Sequence, residues 1–178
     1  MFELWKKLHH APHHLPMEKG VWENSMYADV DSDGRQLFTK LNTEASEHAM
    51  VQYGYSAFGF DENGEISADI HYPIIRDLAF EPEHRVEAEA MLKKVLEYFK
   101  GEARIYAFFH YFGMSACGRH GKLHEKDRHI AQLLEENGFV VEHENVYYTR
   151  QLTENDAGDE RIQLQWRERS AGACREFA

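Results

Sequence analysis

One short loop holds three side chains of the types that bind soft divalent metals. Cys117, His120 and His124 lie within residues 110–125, HYFGMSACGRHGKLHE, spaced Cys-x-x-His-x-x-x-His. A thiolate and two imidazoles at such spacing suit zinc. The same stretch also reads as a substrate- or partner-binding loop, or as a surface loop whose histidines are solvated. Cys117 would act as a nucleophile only with a base beside it, and His120 is the sequence-level candidate for that base. Two other stretches imitate metal sites. Residues 9–14, HHAPHH, pair their histidines, but Pro12 spoils any fixed i, i+4 geometry, so a solvated arm is expected. Asp29-x-Asp31-x-Asp33-Gly34 copies the opening of an EF-hand calcium loop, yet the twelfth position, where glutamate is needed, is Lys40. Residues 31–34 are therefore expected to be a hairpin turn.

A different chemistry belongs to residues 74–91, IIRDLAFEPEHRVEAEAM. Ile74, Ile75, Leu78, Ala79 and Phe80 form an apolar run of strand length, and Pro82 ends it because proline cannot continue a sheet ladder. Met91, Leu92, Val95, Leu96 and Phe99 then recur at spacings of three and four, which predicts a helix closed by Gly101. A strand running into a helix start can bind an anion, because the first helical N–H groups have no partner within the helix. Residues 85–90, RVEAEA, occupy that junction. Glu87 and Glu89 place two negative charges there, where the helix dipole alone would also favour them.

This strand, Pro82-Glu83-x-Arg85 and the helix opening resemble the acetyl-CoA-binding motif of the GNAT N-acetyltransferases, whose loop reads Arg/Gln-x-x-Gly-x-Gly/Ala. Arg85, Ala88 and Ala90 stand at the marked positions, with alanine replacing the first glycine. Residues 133–152, LLEENGFVVEHENVYYTRQL, are similar to the end of a GNAT domain: a helix, Gly138-Phe139, then a strand carrying aromatics. The resemblance covers residues 50–152. It implies acetyl-CoA as cofactor, held by Leu78, Ala79, Phe80, Arg85, Val86, Glu87, Ala88, Glu89 and Ala90. It implies an amine of a small molecule or peptide as acceptor. It also implies a bulge in the fourth strand that splays it from its parallel neighbour and admits the acetyl-pantetheine arm, with Pro73 as the expected place. The family's usual acid is a tyrosine in the last helix. Leu134 stands there, which leaves Tyr147 and Tyr148 as weak catalytic candidates. No strand-helix-helix unit, which walls the acceptor site in the family, is evident before the first hairpin.

The remaining elements must position these groups. Met26, Ala28 and Val30 alternate before the 31–34 turn, and Leu37, Thr39 and Leu41 after it, so residues 22–41 read as a hairpin. Residues 2–8 read as a short amphipathic turn within an irregular arm, 1–19. Residues 42–48 read as a polar connection, 50–60 as a strand, 61–64 (DENG) as a second hairpin turn, and 65–80 as one long strand with Pro73 inside it. The unbroken apolar run 104–112, RIYAFFHYF, predicts a parallel strand buried on both faces. Ile130, Leu133 and Leu134 predict a helix over 126–137, closed by Gly138, before a last strand over 139–152.

The expected fold class is α/β: a GNAT-like mixed, mostly antiparallel sheet with two main helices. At 178 residues, one domain of this size has room for a core. The GNAT-like domain is placed at 20–152, a linker at 153–161, and a strand-like stretch at 162–178 as the start of a second, truncated domain of a tandem protein. A net charge of −11 argues against nucleic acid and anionic membrane surfaces as partners. Two distant cysteines, Cys117 and Cys174, form no disulfide framework, and no run has the roughly 18 apolar residues of a spanning helix. A cytoplasmic protein is expected, and unpaired sheet edges suggest a homodimer. The functions in view are a GNAT-type acetyltransferase or one lobe of it, a non-catalytic GNAT-fold structural or dimerising domain, and a metal-binding loop at 110–125.

Overall fold

Alternation along one central strand separates two layers of helix. Ala49, Val51 and Tyr53 face one side with Ile75, Leu78 and Phe80, while Met50 and Ala79 face the other. The computed structural model describes residues 1–9, 17–27, 29–31, 33–114 and 123–142. Within these, the chain runs α1 (Phe2–Leu8), α2 (Lys19–Tyr27), β1 (Phe38–Ala45), β2 (Ala49–Ser56), β3 (Gly59–Phe60), β4 (Ile66–Ser67), β5 (Pro73–Phe80), α3 (Arg85–Tyr98), β6 (Tyr106–Ala107) and α4 (Arg128–Glu136). The main sheet has the order β1-β2-β5-β6, with β3 and β4 forming a separate hairpin. β1–β2 and β2–β5 pair antiparallel, and β5–β6 pair parallel. The fold is therefore α/β with a mixed, mostly antiparallel sheet.

α3 lays Ala88, Met91, Leu92 and Val95 on the first face, and α4 adds Ile130, Leu133 and Leu134 beside them. Both helices end as the sequence predicts. Gly101 and Gly138 adopt φ of 97° and 91°, the left-handed conformation that glycine enters without a Cβ penalty. The opposite face is covered by α1 and α2 through Trp5, Leu8, Trp22 and Met26, which pack on Met50 and Ala79.

Several expectations are corrected. Residues 22–27 are not the first strand of a hairpin but most of α2. Trp22, Ser25 and Met26 are its buried residues, spaced by three and four, so Met26 belongs to a helical stripe rather than to a strand alternation. The turn survives: Asp31 N–H bonds to Arg35 O, Gly34 has φ of 81°, and the two sides meet beyond it at the Val30–Gln36 bridge rather than in a named strand pair among the described residues. Residues 2–8 form a complete helix because Trp5 and Leu8 find Trp22 and Met26. Two helices thus precede the first hairpin, where none was evident. Residues 42–45 extend β1 and leave 46–48 as the turn. Pro73 begins β5 rather than interrupting a longer strand, so its missing N–H costs no internal ladder bond. The run 104–112 yields only the two-residue β6, half-buried, followed by a 3-10 turn at His110–Phe112. The last strand, for the most part, together with the linker and the stretch 162–178, lies outside the described residues.

Gly54 is the tightest point of the sheet. A Cβ there would lie 1.9 Å from the Lys40 carbonyl oxygen, close to where Thr39 is bulged out of the β1–β2 register. Gly54→Ala must therefore move backbone, and we expect a loss on the order of 3 kcal/mol, read from the urea midpoint.

Candidate functional site

The middle of β5 carries two adjacent charges, Arg76 and Asp77, inside an otherwise apolar strand. Gln52 pairs with Asp77 but Tyr53 pairs with Ile75, so Arg76 is the extra residue of a β-bulge. The bulge breaks the alternation and sends both charges toward the α1/α2 layer.

Arg76 is fully buried, and its five guanidinium N–H donors all find acceptors. Nε donates to Phe112 O at 3.0 Å. One terminal nitrogen donates to Ser25 O at 2.9 Å and Gln52 Oε1 at 3.3 Å. The other donates to Gly113 O at 3.1 Å and to the Asp29 carboxylate. The guanidinium also lies over the Phe38 ring, 5.1 Å from its centroid. Gln52 in turn donates to Met26 O at 2.8 Å. Two carbonyls in the last turn of α2 are thus satisfied by β-sheet side chains, which ends that helix without a glycine.

Asp77 receives Nε2–H of His9 at 3.0 Å, while His9 Nδ1 donates to Trp5 O at 2.9 Å. Two acceptors on two ring nitrogens require the imidazolium form. Burial by itself would lower the His9 pKa. The charge and hydrogen bond of Asp77, the Trp5 carbonyl and the more distant Asp127 outweigh it and hold the pKa above the ordinary 6.5.

The bulge also marks where the parallel pair comes apart. β6 meets β5 only at Ile74–Tyr106 and Ile75–Ala107, with Phe108 N–H donating to Ile75 O at 2.9 Å. Phe108 then takes φ of 53°, a left-handed conformation that costs a phenylalanine about 1–2 kcal/mol. That turn leads the chain away from β5 into the His110–Phe112 turn, whose carbonyl Arg76 captures. The bulge on one strand and the left-handed residue on the other stand where the β5–β6 pairing ends.

At the far end of β5, residues 85–90 form the first turns of α3. Leu78, Ala79 and Phe80 are buried in the sheet, and Ala88 is buried beneath the helix. Val86 is 82% exposed. Arg85 pairs with Glu136 of α4, and Glu89 with Lys93, whose hydrogen bond and charge hold the Glu89 carboxyl below its usual range. α3 starts with no side-chain cap. Beside this start lie His48 of the β1–β2 turn, Glu81, and His84 of the Pro82–His84 turn. Their ligand-type atoms are all within 4.8 Å of one another. Hydrogen bonds from His48 and then Lys7 hold the Glu81 carboxyl below the usual carboxylate range.

Of the residues singled out in the sequence, Leu78–Phe80 end β5 and 85–90 open α3, with Leu78, Phe80 and Ala88 in one core cluster and Ala79 on the opposite face of the sheet. His124 caps a 3-10 turn, its Nδ1 accepting Lys126 N–H at 3.1 Å. Cys117, His120, Tyr147 and Tyr148 lie outside the described residues. Leu134 packs in the core. Arg76, Asp77, His9, His48, Glu81 and His84 were missed. The signal for the first two was a pair of charges within a buried strand, and the others carry no local pattern. Comparison with known proteins finds nothing similar: no family model, curated protein or solved structure matches the chain.

Two outcomes follow from the buried charges. Arg76→Met strands Asp29 in the interior and should cost about 3–5 kcal/mol by denaturant titration. Arg76→Met/Asp29→Leu should recover only the share due to the charge, because Ser25 O, Phe112 O, Gly113 O and Gln52 still lose their donor. The raised pKa of His9 means its contribution to stability is complete below the unfolded value near 6.5 and is lost as pH rises through the folded value. Thermal melts from pH 6 to 9 should therefore show wild type losing its advantage over His9→Gln. An advantage that grew with pH would contradict the assignment.

Proposed function

We propose that the chain is a GNAT-type domain that binds acetyl-CoA and serves amine acetylation, as an enzyme or as one lobe of one. The observation that carries this is the bulge at Arg76 together with the end of β5–β6 pairing at Ile75. GNAT domains bulge their fourth strand to splay it from a parallel neighbour, and the acetyl-pantetheine arm enters there. The bulge falls three residues beyond Pro73, next to the point where the β5–β6 pairing ends. The order of elements supports the same reading: an antiparallel hairpin, a third strand leading through Pro82 into α3, a parallel strand, then α4 and Gly138-Phe139.

The fit to the cofactor is uneven along its length. The end of β5–β6 pairing at Ile75 is the place where a thioester arm would enter. At the start of α3, Glu89 is answered by Lys93, and Glu87 lies 4.0 Å from His84, so both acids of the junction have cationic or ionisable neighbours. Arg85 is engaged by Glu136 and would have to exchange partners to meet a phosphate.

A second reading is a GNAT-fold domain without catalysis, with a structural or dimerising role. Leu134, 7% exposed in the core, favours it, since a leucine at the family's acid position cannot protonate a leaving thiolate.

Calorimetric titration with acetyl-CoA tests the first reading. Saturable heat and a raised melting temperature are expected, with Glu87→Gln binding severalfold tighter through removal of one negative charge near the phosphates. No heat and no thermal shift at about 1 mM acetyl-CoA in either protein would reject it. Binding without acetyl transfer to any of a panel of amines would select the non-catalytic domain.

A further inference from the structure

We propose that His48, Glu81 and His84 form a binding site for one divalent transition-metal cation of the zinc class. The site does not depend on the GNAT reading. Its donors come from the β1–β2 turn, the end of β5 and the 3-10 turn before α3, so only the folded chain brings them together. Two imidazole nitrogens and a carboxylate oxygen are a donor set that zinc takes in open sites, with a fourth position left for water.

Their distances are close to those a metal needs. Zinc bonds of about 2.0–2.2 Å to nitrogen and oxygen place tetrahedral donors roughly 3.3–3.5 Å apart. Glu81 Oε2 lies 2.6 Å from His48 Nδ1 and 4.0 Å from His84 Nε2, on either side of that value. The two rings are stacked, with centroids 3.6 Å apart and planes 9° from parallel. A bound ion would turn both rings so that their lone pairs converge, and these half-exposed side chains have room to rotate.

The surroundings match a metal site in two further ways. Each histidine has a carboxylate near the nitrogen that faces away: Glu47 lies 3.9 Å from His48 Nε2, and Glu87 lies 4.0 Å from His84 Nδ1. Neither pair is at hydrogen-bond distance, but a ring rotation that closed the gap would let the carboxylate fix the tautomer and raise the basicity of a metal-ligating imidazole. The position also already draws a cation of the chain itself. Lys7 Nζ stands 3.1 Å from Glu81 Oε2 and 3.4 Å from His48 Nδ1. Lys7 is on the last turn of α1 with its side chain 44% exposed, so it can withdraw when a divalent ion enters. It is therefore a built-in competitor, and that gives the site an unusual signature: removing a cationic side chain tightens binding.

The full-length chain, stripped of metal, is titrated with cobalt(II) and followed by visible absorption, then back-titrated with zinc. One equivalent is expected to bind. His48→Ala, His84→Ala and Glu81→Gln should each weaken it by about 10-fold or more, and Lys7→Met should strengthen it severalfold. Melts of the apo variants show that each is folded, and replacing His10, His13 and His14 together should leave the affinity unchanged. The site is overturned if no stoichiometric binding occurs, if His48→Ala/His84→Ala binds like wild type, if Lys7→Met weakens binding, or if the His10, His13 and His14 replacement abolishes it.

Discussion

The buried guanidinium of Arg76 is the point on which the arrangement of this protein turns. Taking an arginine out of water costs several kcal/mol unless its charge is matched and every donor is used. Here Asp29 supplies the charge, and backbone carbonyls from α2 and from the segment after β6 complete the set with Gln52. Those partners come from three separate parts of the chain, residues 25–29, Gln52 and residues 112–113. One side chain therefore sets where α2 ends, how it sits on the sheet, and where the chain goes after β6.

The same residue links this architecture to the opening between β5 and β6. The extra residue in β5 breaks its register with β2, and the pairing of β5 with β6 ends at the residue before it. Arg76 then bridges across to the segment that has left, instead of the backbone ladder doing so. The left-handed Phe108 is the complementary distortion on the other strand, held by its N–H bond to Ile75 and by the packing of its ring in the core. Local strain of this kind persists only where surrounding contacts over-determine it. At the other end of β5 the chemistry differs. His48, Glu81, His84 and Lys7 are partly exposed, with Glu81 hydrogen-bonded to His48 and Lys7, whereas the guanidinium of Arg76 is fully enclosed.

The elements best read in advance were those in which period, length and terminator agreed. α3 and α4 have apolar spacings of three and four, a proline or polar start, and a glycine that must adopt positive φ at the end. The Asp-Gly and Asn-Gly turns were equally plain. Misreadings came where a short segment satisfied two periods. In residues 22–30, Met26, Ala28 and Val30 imitate a strand, and only Trp5 and Leu8 of a distant helix reveal that Trp22 and Met26 form the buried stripe. The run 104–112 is apolar enough for a buried strand, yet the bulge in its neighbour leaves it just two residues of ladder.

From the sequence alone came the α/β class, the strand-to-helix junction at Pro82, the two core helices and the placing of 85–90 at a helix start. These rest on local rules: side-chain periodicity, proline's missing donor and glycine's freedom at φ above zero. The tertiary structure decided the bulge at Arg76, the end of β5–β6 pairing at Ile75, the His9–Asp77 pair and the His48–Glu81–His84 cluster. Each joins residues far apart in sequence: 47 residues separate Arg76 from Asp29, and 68 separate His9 from Asp77. No spacing rule spans such distances, because what brings those groups together is the packing of whole elements.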